Sequence, residues 1–203
     1  ERTLGAEYFE RHAGDFWLLL ESRPYMRARQ GVANMLWRSN RREEAVEHFR
    51  ELLRLNPNDN QGNRYLLLDL WLLLGRPDEA RALLQQYPDE WSAVWTYTRA
   101  LLAFQQEGAS PESSRALNEA LKQNPHVPAY LTEQKRIPNA RPEYIGIGDE
   151  REAIAYAADH LNYWRRAVGA VGWLREQAQS APPRARRDEG VIRPRRRRRT
   201  RRR

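Results

Sequence analysis

The feature that most constrains this chain is that it echoes itself at a spacing of about 34 residues. Arg41-Arg42-Glu43-Glu44-Ala45 returns 35 positions later as Arg76-Pro77-Asp78-Glu79-Ala80, and Ser114-Arg115-Ala116 follows 36 positions further on. Asn56-Pro57 and Asn124-Pro125 lie 68 positions apart, twice 34. Such a period predicts units of helix, turn and helix, none of which can bury its apolar face alone. The predicted fold class is all-α, a tetratricopeptide-like helical-repeat solenoid of about three helix pairs plus capping helices.

Residues 23–126 carry the repeats. In the first unit Ala33 and Leu36 lie on one helix, Ala45 and Phe49 on the next, and Pro57 closes it. The small side chain lets paired helices approach, and the aromatic fills the gap toward the next unit. The second unit uses Leu66, Leu67, Leu70, Leu73 and Leu74, then turns at Gly75-Arg76-Pro77. The third runs from Trp91 through Tyr97, Ala100, Leu101 and Phe104, turns between Gly108 and Pro111, and resumes through Ala116, Leu117, Ala120 and Leu121. Residues 1–22 read as an N-terminal cap, with Phe9, Phe16, Trp17 and Leu20 at helical spacing over 4–20, and Pro24 starts the next helix. Over 127–148, Pro128, Pro138, Pro142, Gly146 and Gly148 predict a long loop without helix. Residues 149–178 read as C-terminal helices: one from the N-cap Asp149 through Trp164, then a short one over 168–178.

Two blocks stand outside any generic repeat consensus: Asn124-Pro125-His126-Val127-Pro128-Ala129-Tyr130-Leu131, and Gly148-Asp149-Glu150-Arg151-Glu152-Ala153-Ile154-Ala155-Tyr156-Ala157. Both resemble the suppression of tumorigenicity 7 family, as do His160-Leu161, Trp164, Arg165, Gly169-Ala170 and Leu174, over roughly residues 20 to 175. The resemblance implies a tetratricopeptide-like helical protein with no established catalysis. It points to a soluble, compact relative of bacterial type, without the membrane segments of the animal members.

Composition narrows the function classes. There is no cysteine, so disulfides, thiol nucleophiles and thiolate metal sites are excluded, and a reducing, cytoplasmic setting is expected. The most apolar stretch, 65–74, spans about half of the roughly 20 residues a membrane helix needs and contains Asp69. No membrane partner is expected, and nothing near Glu1 resembles a signal peptide. His12, His48, His126 and His160 show no ligand spacing, so neither metal nor cofactor is expected. Glu43-Glu44, Asp78-Glu79 and Glu150 sit at helix starts, where the helix dipole accounts for them without acid–base catalysis. Gly146-Ile147-Gly148 lacks the remainder of a phosphate-binding motif. The chain is therefore expected not to be an enzyme; a catalytic reading would have only His126, Tyr130 or Tyr144 to nominate.

The expected function is non-catalytic: a scaffold or adaptor that docks a protein segment on the concave face formed by the first helix of each unit. Relative to Ala33, that face carries Arg27, Gln30, Asn34, Trp37 and Arg38. The second unit adds Tyr65, Asp69 and Leu72, and the third adds Tyr97, Leu101 and Phe104. Arginine and exposed tryptophan are frequent in binding hot spots, and Asn34 is suited to a peptide backbone. Trp37 has an alternative reading as a core residue packed on the cap or loop. A carboxylate-clamp mode is rejected, because Leu66 stands where a second asparagine is needed.

Charge is divided unevenly. Net charge is +8, but 12 of the 35 basic residues and 2 of the 27 acidic ones fall in 184–203, leaving +10 there and −2 in residues 1–183. Residues 179–203 read as a disordered Arg-rich tail. Arg195, Arg196, Arg197, Arg198, Arg199, Arg201, Arg202 and Arg203 are its candidate polyanion contacts, giving the alternative function of a nucleic-acid or ribosome-associated protein. Without an aromatic in 184–203, such binding would be blind to sequence. Only two lysines accompany 33 arginines, so a genome-wide bias toward arginine is an equally open reading of the tail.

Overall fold

Two turns set 35 residues apart have the same backbone construction. After α2 (Arg23–Arg38), Asn40 is left-handed (φ 62°) and the Arg41 amide donates to the Leu36 carbonyl at 2.9 Å. After α4 (Asn63–Leu73), Gly75 is left-handed (φ 67°) and the Arg76 amide reaches the Trp71 carbonyl, also at 2.9 Å. Each turn satisfies a carbonyl left open at a helix end and brings the next helix onto the last one. Thus α3 (Arg42–Leu55) packs on α2, and α5 (Pro77–Gln86) packs on α4. The third pair, α6 (Ala93–Glu107) and α7 (Pro111–Gln123), turns differently, with Ser110 and Ser113 forming a reciprocal capping box.

The computed structural model describes residues 4–180. All its regular structure is helical, with no strand among the described residues, and the helices pack in adjacent pairs. The fold is the all-α helical-repeat arrangement expected from the 34-residue spacing. Ala33, Ala45 and Phe49 of the first unit are fully buried. The apolar interior has two parts. One runs from Phe16 through α2–α5 to Trp95 and Leu102; the other joins Tyr97, Ala100 and Leu101 to the C-terminal helices. Helix α6 contributes to both, which makes it the seam between the repeats and everything after them.

Three boundaries depart from the sequence reading. The cap is helical only over α1 (Ala6–Arg11), not to Leu20. The chain leaves the helix because Gly14 and Phe16 donate their amides to the Leu55 carbonyl at 3.2 and 3.1 Å, closing the end of α3 and seating Phe16 in the core. The stretch expected to be loop from residue 127 opens with α8 (Val127–Leu131). Pro128 lies in its first turn, where a missing amide costs nothing, and Asn124 Oδ1 accepts from the His126 amide at 3.0 Å. Finally, α9 (Glu150–Arg166) starts after the expected cap Asp149, whose side chain accepts from the Glu152 amide, but α10 runs from Ala170 to Ser180. It begins after left-handed Gly169 (φ 84°), so Gln179 and Ser180 are helical and not part of a tail. The proposed polyanion contacts Arg195–Arg199 and Arg201–Arg203 lie outside the described residues.

Candidate partner-binding face

Helices α9 and α10 lie over much of the face expected to be open. Tyr97 is fully buried, its ring 5.6 Å from Tyr156 and 6.5 Å from Trp164, and its hydroxyl donates to the Asn124 carbonyl at 2.6 Å. It is a core residue, and its assignment to partner binding is corrected. Phe104 stacks on Trp173 at 4.6 Å. Asp69 Oδ1 stands 3.1 Å from His160 Nε2, off the axis of a good hydrogen bond; His160 itself is 2% exposed and stacks on Tyr156 at 4.4 Å.

Other candidates are spent in contacts between units. Gln30 Nε2 donates to Asn63 Oδ1 at 2.9 Å and to the Gln61 carbonyl at 3.2 Å, while Gln61 Nε2 returns a bond to Gln30 Oε1 at 3.1 Å. Tyr65 is half-buried edge-on to Trp95, with the Arg64 guanidinium 4.9 Å from its ring centroid. Trp37 is half-buried and meets Phe49 edge-on at 6.4 Å, so packing is a large part of its role. Arg27 and Arg38 are exposed and Asn34 is half-buried between them on α2.

The two distinctive sequence blocks meet in one buried polar knot. Glu152, 5% exposed, accepts from the Ala93 amide at 2.8 Å through Oε1, and from the Gly148 amide at 2.7 Å and Asn124 Nδ2 at 2.9 Å through Oε2. Asn124 Nδ2 also donates to the Asp149 carbonyl at 2.9 Å. One carboxylate thus closes the N-terminus of α6, holds the loop before α9 and fixes the end of α7. The chemistry is capping and charge-assisted hydrogen bonding rather than proton transfer. A second buried carboxylate does the same one unit earlier. Asp59 accepts from the Asn63 and Arg64 amides at 2.7 and 2.9 Å, and its burial raises its pKa above the usual carboxylate range.

What remains open is a cleft of about 420 Å³ where the ends of α4, α6 and α9 converge. Its floor includes Leu72, Leu73 and Leu101, and Gln105, Tyr163 and Arg166 stand around it. Burial raises the pKa of the Tyr163 phenol, the charge of Asp69 adds to this, and the charges of Arg166 and Arg42 work against it. Many arginines pair with carboxylates, as in Arg41–Glu44, Arg54–Glu51, Arg76–Glu43 and Arg165–Glu133. Arg27, Arg38, Arg42 and Arg166 make no ion pair among the described residues.

The residues nominated for catalysis do not assemble into a catalytic set. His126 and Tyr144 are exposed, while the Tyr130 hydroxyl is engaged at 2.9 Å by Glu150, which also takes Lys135 at 2.5 Å. Sequence reasoning missed Glu152 and Asn124 as a pair. Their one signal was membership of the two distinctive blocks, since helical spacing cannot show that a first-turn glutamate caps a different helix.

The family model described as ST7 protein matches residues 23–181, which contain both blocks of the knot. The suppressor of tumorigenicity 7 proteins of Macaca fascicularis, Rattus norvegicus and Mus musculus are each 33% identical over 189 residues. The alignments cover 84% of this chain and 34%, 32% and 32% of those proteins, so the chain spans about a third of their length. No solved structure matches it, and no helix among the described residues is long and apolar enough to cross a membrane. With its repeats, its Asn124–Glu152 knot and both flanking blocks inside the matched region, the chain belongs to the suppressor of tumorigenicity 7 (ST7) family.

Proposed function

We propose that this chain is a non-catalytic scaffold or adaptor, acting in the cytoplasm through a tetratricopeptide-like array that docks a segment of a protein partner. One observation carries the reading. Arg27 and Arg38 stand exposed on the first helix of the array with Asn34 between them, and neither guanidinium has a carboxylate partner among the described residues. Exposed cations without a local carboxylate provide a surface for acidic or amide-rich chains. The reading is tested by nuclease-treated affinity purification from the native source, comparing the full chain with Arg27→Glu/Arg38→Glu. Partners that drop out with the charge reversal support it; a partner list identical in both would remove it.

A second reading places affinity in the basic residues 184–203, favoured by their charge of +10. Truncation after Pro183 should then abolish binding to polyanions, with a steep loss in added salt before the cut. Polyanion binding that survives truncation rejects this reading.

A further inference from the structure

Helix α2, the first of the array, has an outer face unlike that of its neighbour. Its exposed residues are Pro24, Arg27, Ala28, Gly31, Val32, Met35 and Arg38, and only the two arginines are charged. On α3 the exposed positions are Glu43, Glu44, Glu47, Arg50 and Arg54, all charged. Val32 and Met35 are 45% and 68% exposed. At about 100° per residue, Ala28, Gly31, Val32 and Met35 lie within about 50° of one line along α2, and Arg27 and Arg38 share an edge some 70–90° to one side. The end unit of a solenoid needs a polar outer face when nothing covers it, and this one is apolar. Gly31 stands at the centre of the line. A mid-helix glycine costs about 1 kcal/mol relative to alanine, yet a Cβ at this position would meet nothing within 4 Å. Nothing in the chain's own fold uses the space that this glycine leaves open.

We infer that a second copy of this chain covers the face, with α2 packed antiparallel on α2 about a two-fold axis between Gly31 and Val32. The pattern is symmetric about that midpoint, which favours a copy of the same helix over an unrelated one. Met35 and Ala28 stand equally far from it on opposite sides, as do Ser39 and Pro24. In the antiparallel pair Met35 therefore lies over Ala28 of the second copy, and the two Gly31 residues meet beside the axis, where the missing side chains let the backbones approach. The same patch serves on both copies, as a closed two-fold dimer requires, and the helix dipoles oppose one another favourably. Arg27 of one copy comes beside Arg38 of the other along one edge, an unfavourable contact that limits affinity. A contact through one helix pair falls below about 1,200 Å², so association is weak, with Kd on the order of 10–100 µM. The inference goes beyond the scaffold reading and does not depend on it.

Sedimentation equilibrium of the nuclease-treated full chain, from about 5 to 500 µM, should show a monomer and dimer in exchange with that Kd. Val32→Glu/Met35→Glu should weaken the dimer at least about tenfold while leaving the urea midpoint unchanged, because both side chains are exposed. Arg27→Glu should tighten it about threefold by setting a carboxylate beside Arg38 of the second copy, and Arg27→Glu/Arg38→Glu should return it to the parental value. The chain has no cysteine, so Gly31→Cys should cross-link two copies on mild oxidation. Ser39→Cys, roughly 20 Å from its counterpart in the antiparallel pair, should not. A chain that stays monomeric over this range, a dimer indifferent to Val32→Glu/Met35→Glu, or cross-linking through Ser39→Cys in place of Gly31→Cys overturns the inference. A native partner lost with Val32→Glu/Met35→Glu from a chain that is monomeric would assign the face to a different protein and overturn it as well. Because Arg27→Glu/Arg38→Glu keeps the dimer but reverses the edge proposed for an acidic partner, the failure of either reading is seen separately.

Discussion

Glu152 on α9 caps α6 through the amide of Ala93, 59 residues earlier in the chain, at 2.8 Å. The same carboxylate also accepts from Gly148 and Asn124, so it joins the third repeat to the segment that follows it. Replacing it with alanine leaves three donors without their acceptor in a site closed to water. We expect Glu152→Ala to lose about 3 kcal/mol and Glu152→Gln, which keeps one acceptor oxygen, about half of that. Urea unfolding with an unchanged m-value provides the measurement; a loss below roughly 0.5 kcal/mol for the alanine variant would show that the knot is incidental.

The repeat pattern puts Tyr97 and Arg38 on one face, yet they should separate cleanly in stability. Tyr97→Ala removes a fully buried ring and should cost about 3–5 kcal/mol, while Tyr97→Phe forfeits only the bond to the Asn124 carbonyl, about 1 kcal/mol. Arg27→Glu and Arg38→Glu should stay within about 0.5 kcal/mol of the parent. Equal costs for Tyr97→Ala and Arg38→Glu in thermal unfolding would contradict the placement of α9.

The equivalent turns make unequal use of glycine. Gly75 holds φ 67° without steric cost, whereas Asn40 holds φ 62° with a side chain attached. Asn40→Gly should stabilise by about 0.5 kcal/mol and raise Tm by about 1–2 °C, and Gly75→Ala should cost about 1 kcal/mol. A fall in Tm for Asn40→Gly would show that the asparagine side chain contributes more than its backbone costs.

Alkaline pH should unfold the protein through its buried phenols. Burial raises the pKa of both Tyr97 and Tyr156 above that of an ordinary phenol, about 10; the charge of Glu152 adds to this at Tyr97, while at Tyr156 the bond from the Trp164 indole works against it and the charge of Asp69 adds to it. Below pH 10 these phenols are neutral in the folded and unfolded states alike, so their full contribution is present. Above pH 10 the unfolded chain ionises first, and stability falls by up to about 1.4 kcal/mol per pH unit per phenol until the folded phenols titrate. Absorbance at 295 nm and circular dichroism should report late tyrosine ionisation coinciding with loss of helix. Ionisation of all tyrosines before any helix is lost would refute the burial of this pair.

Much of the frame was legible in advance because it depends on local chemistry. The echo of Arg41–Ala45 in Arg76–Ala80 marks two turns with the same bonding, and Asp149 caps α9 by accepting from a residue three positions on. The end of the N-terminal cap was not legible, because Phe9, Phe16 and Trp17 keep helical spacing even though the chain turns at Gly14 to reach Leu55. Pro128 likewise reads as a breaker in sequence, yet it sits in the first turn of a short helix whose preceding residue is tied to Asn124.

The candidate face shows the limit of periodicity most clearly. Helical spacing by itself determined that Gln30, Tyr65 and Tyr97 occupy matching places in successive first helices, because spacing reports which residues share a side of one helix. Only the tertiary structure decided that Gln30 locks onto Asn63, that Tyr65 is half-covered and that Tyr97 disappears beneath α9. The physical reason is that burial and charge neutralisation depend on what arrives from elsewhere in the chain. Tyr156, Trp164 and His160 come from some 60 to 90 residues away, and no local pattern encodes their arrival.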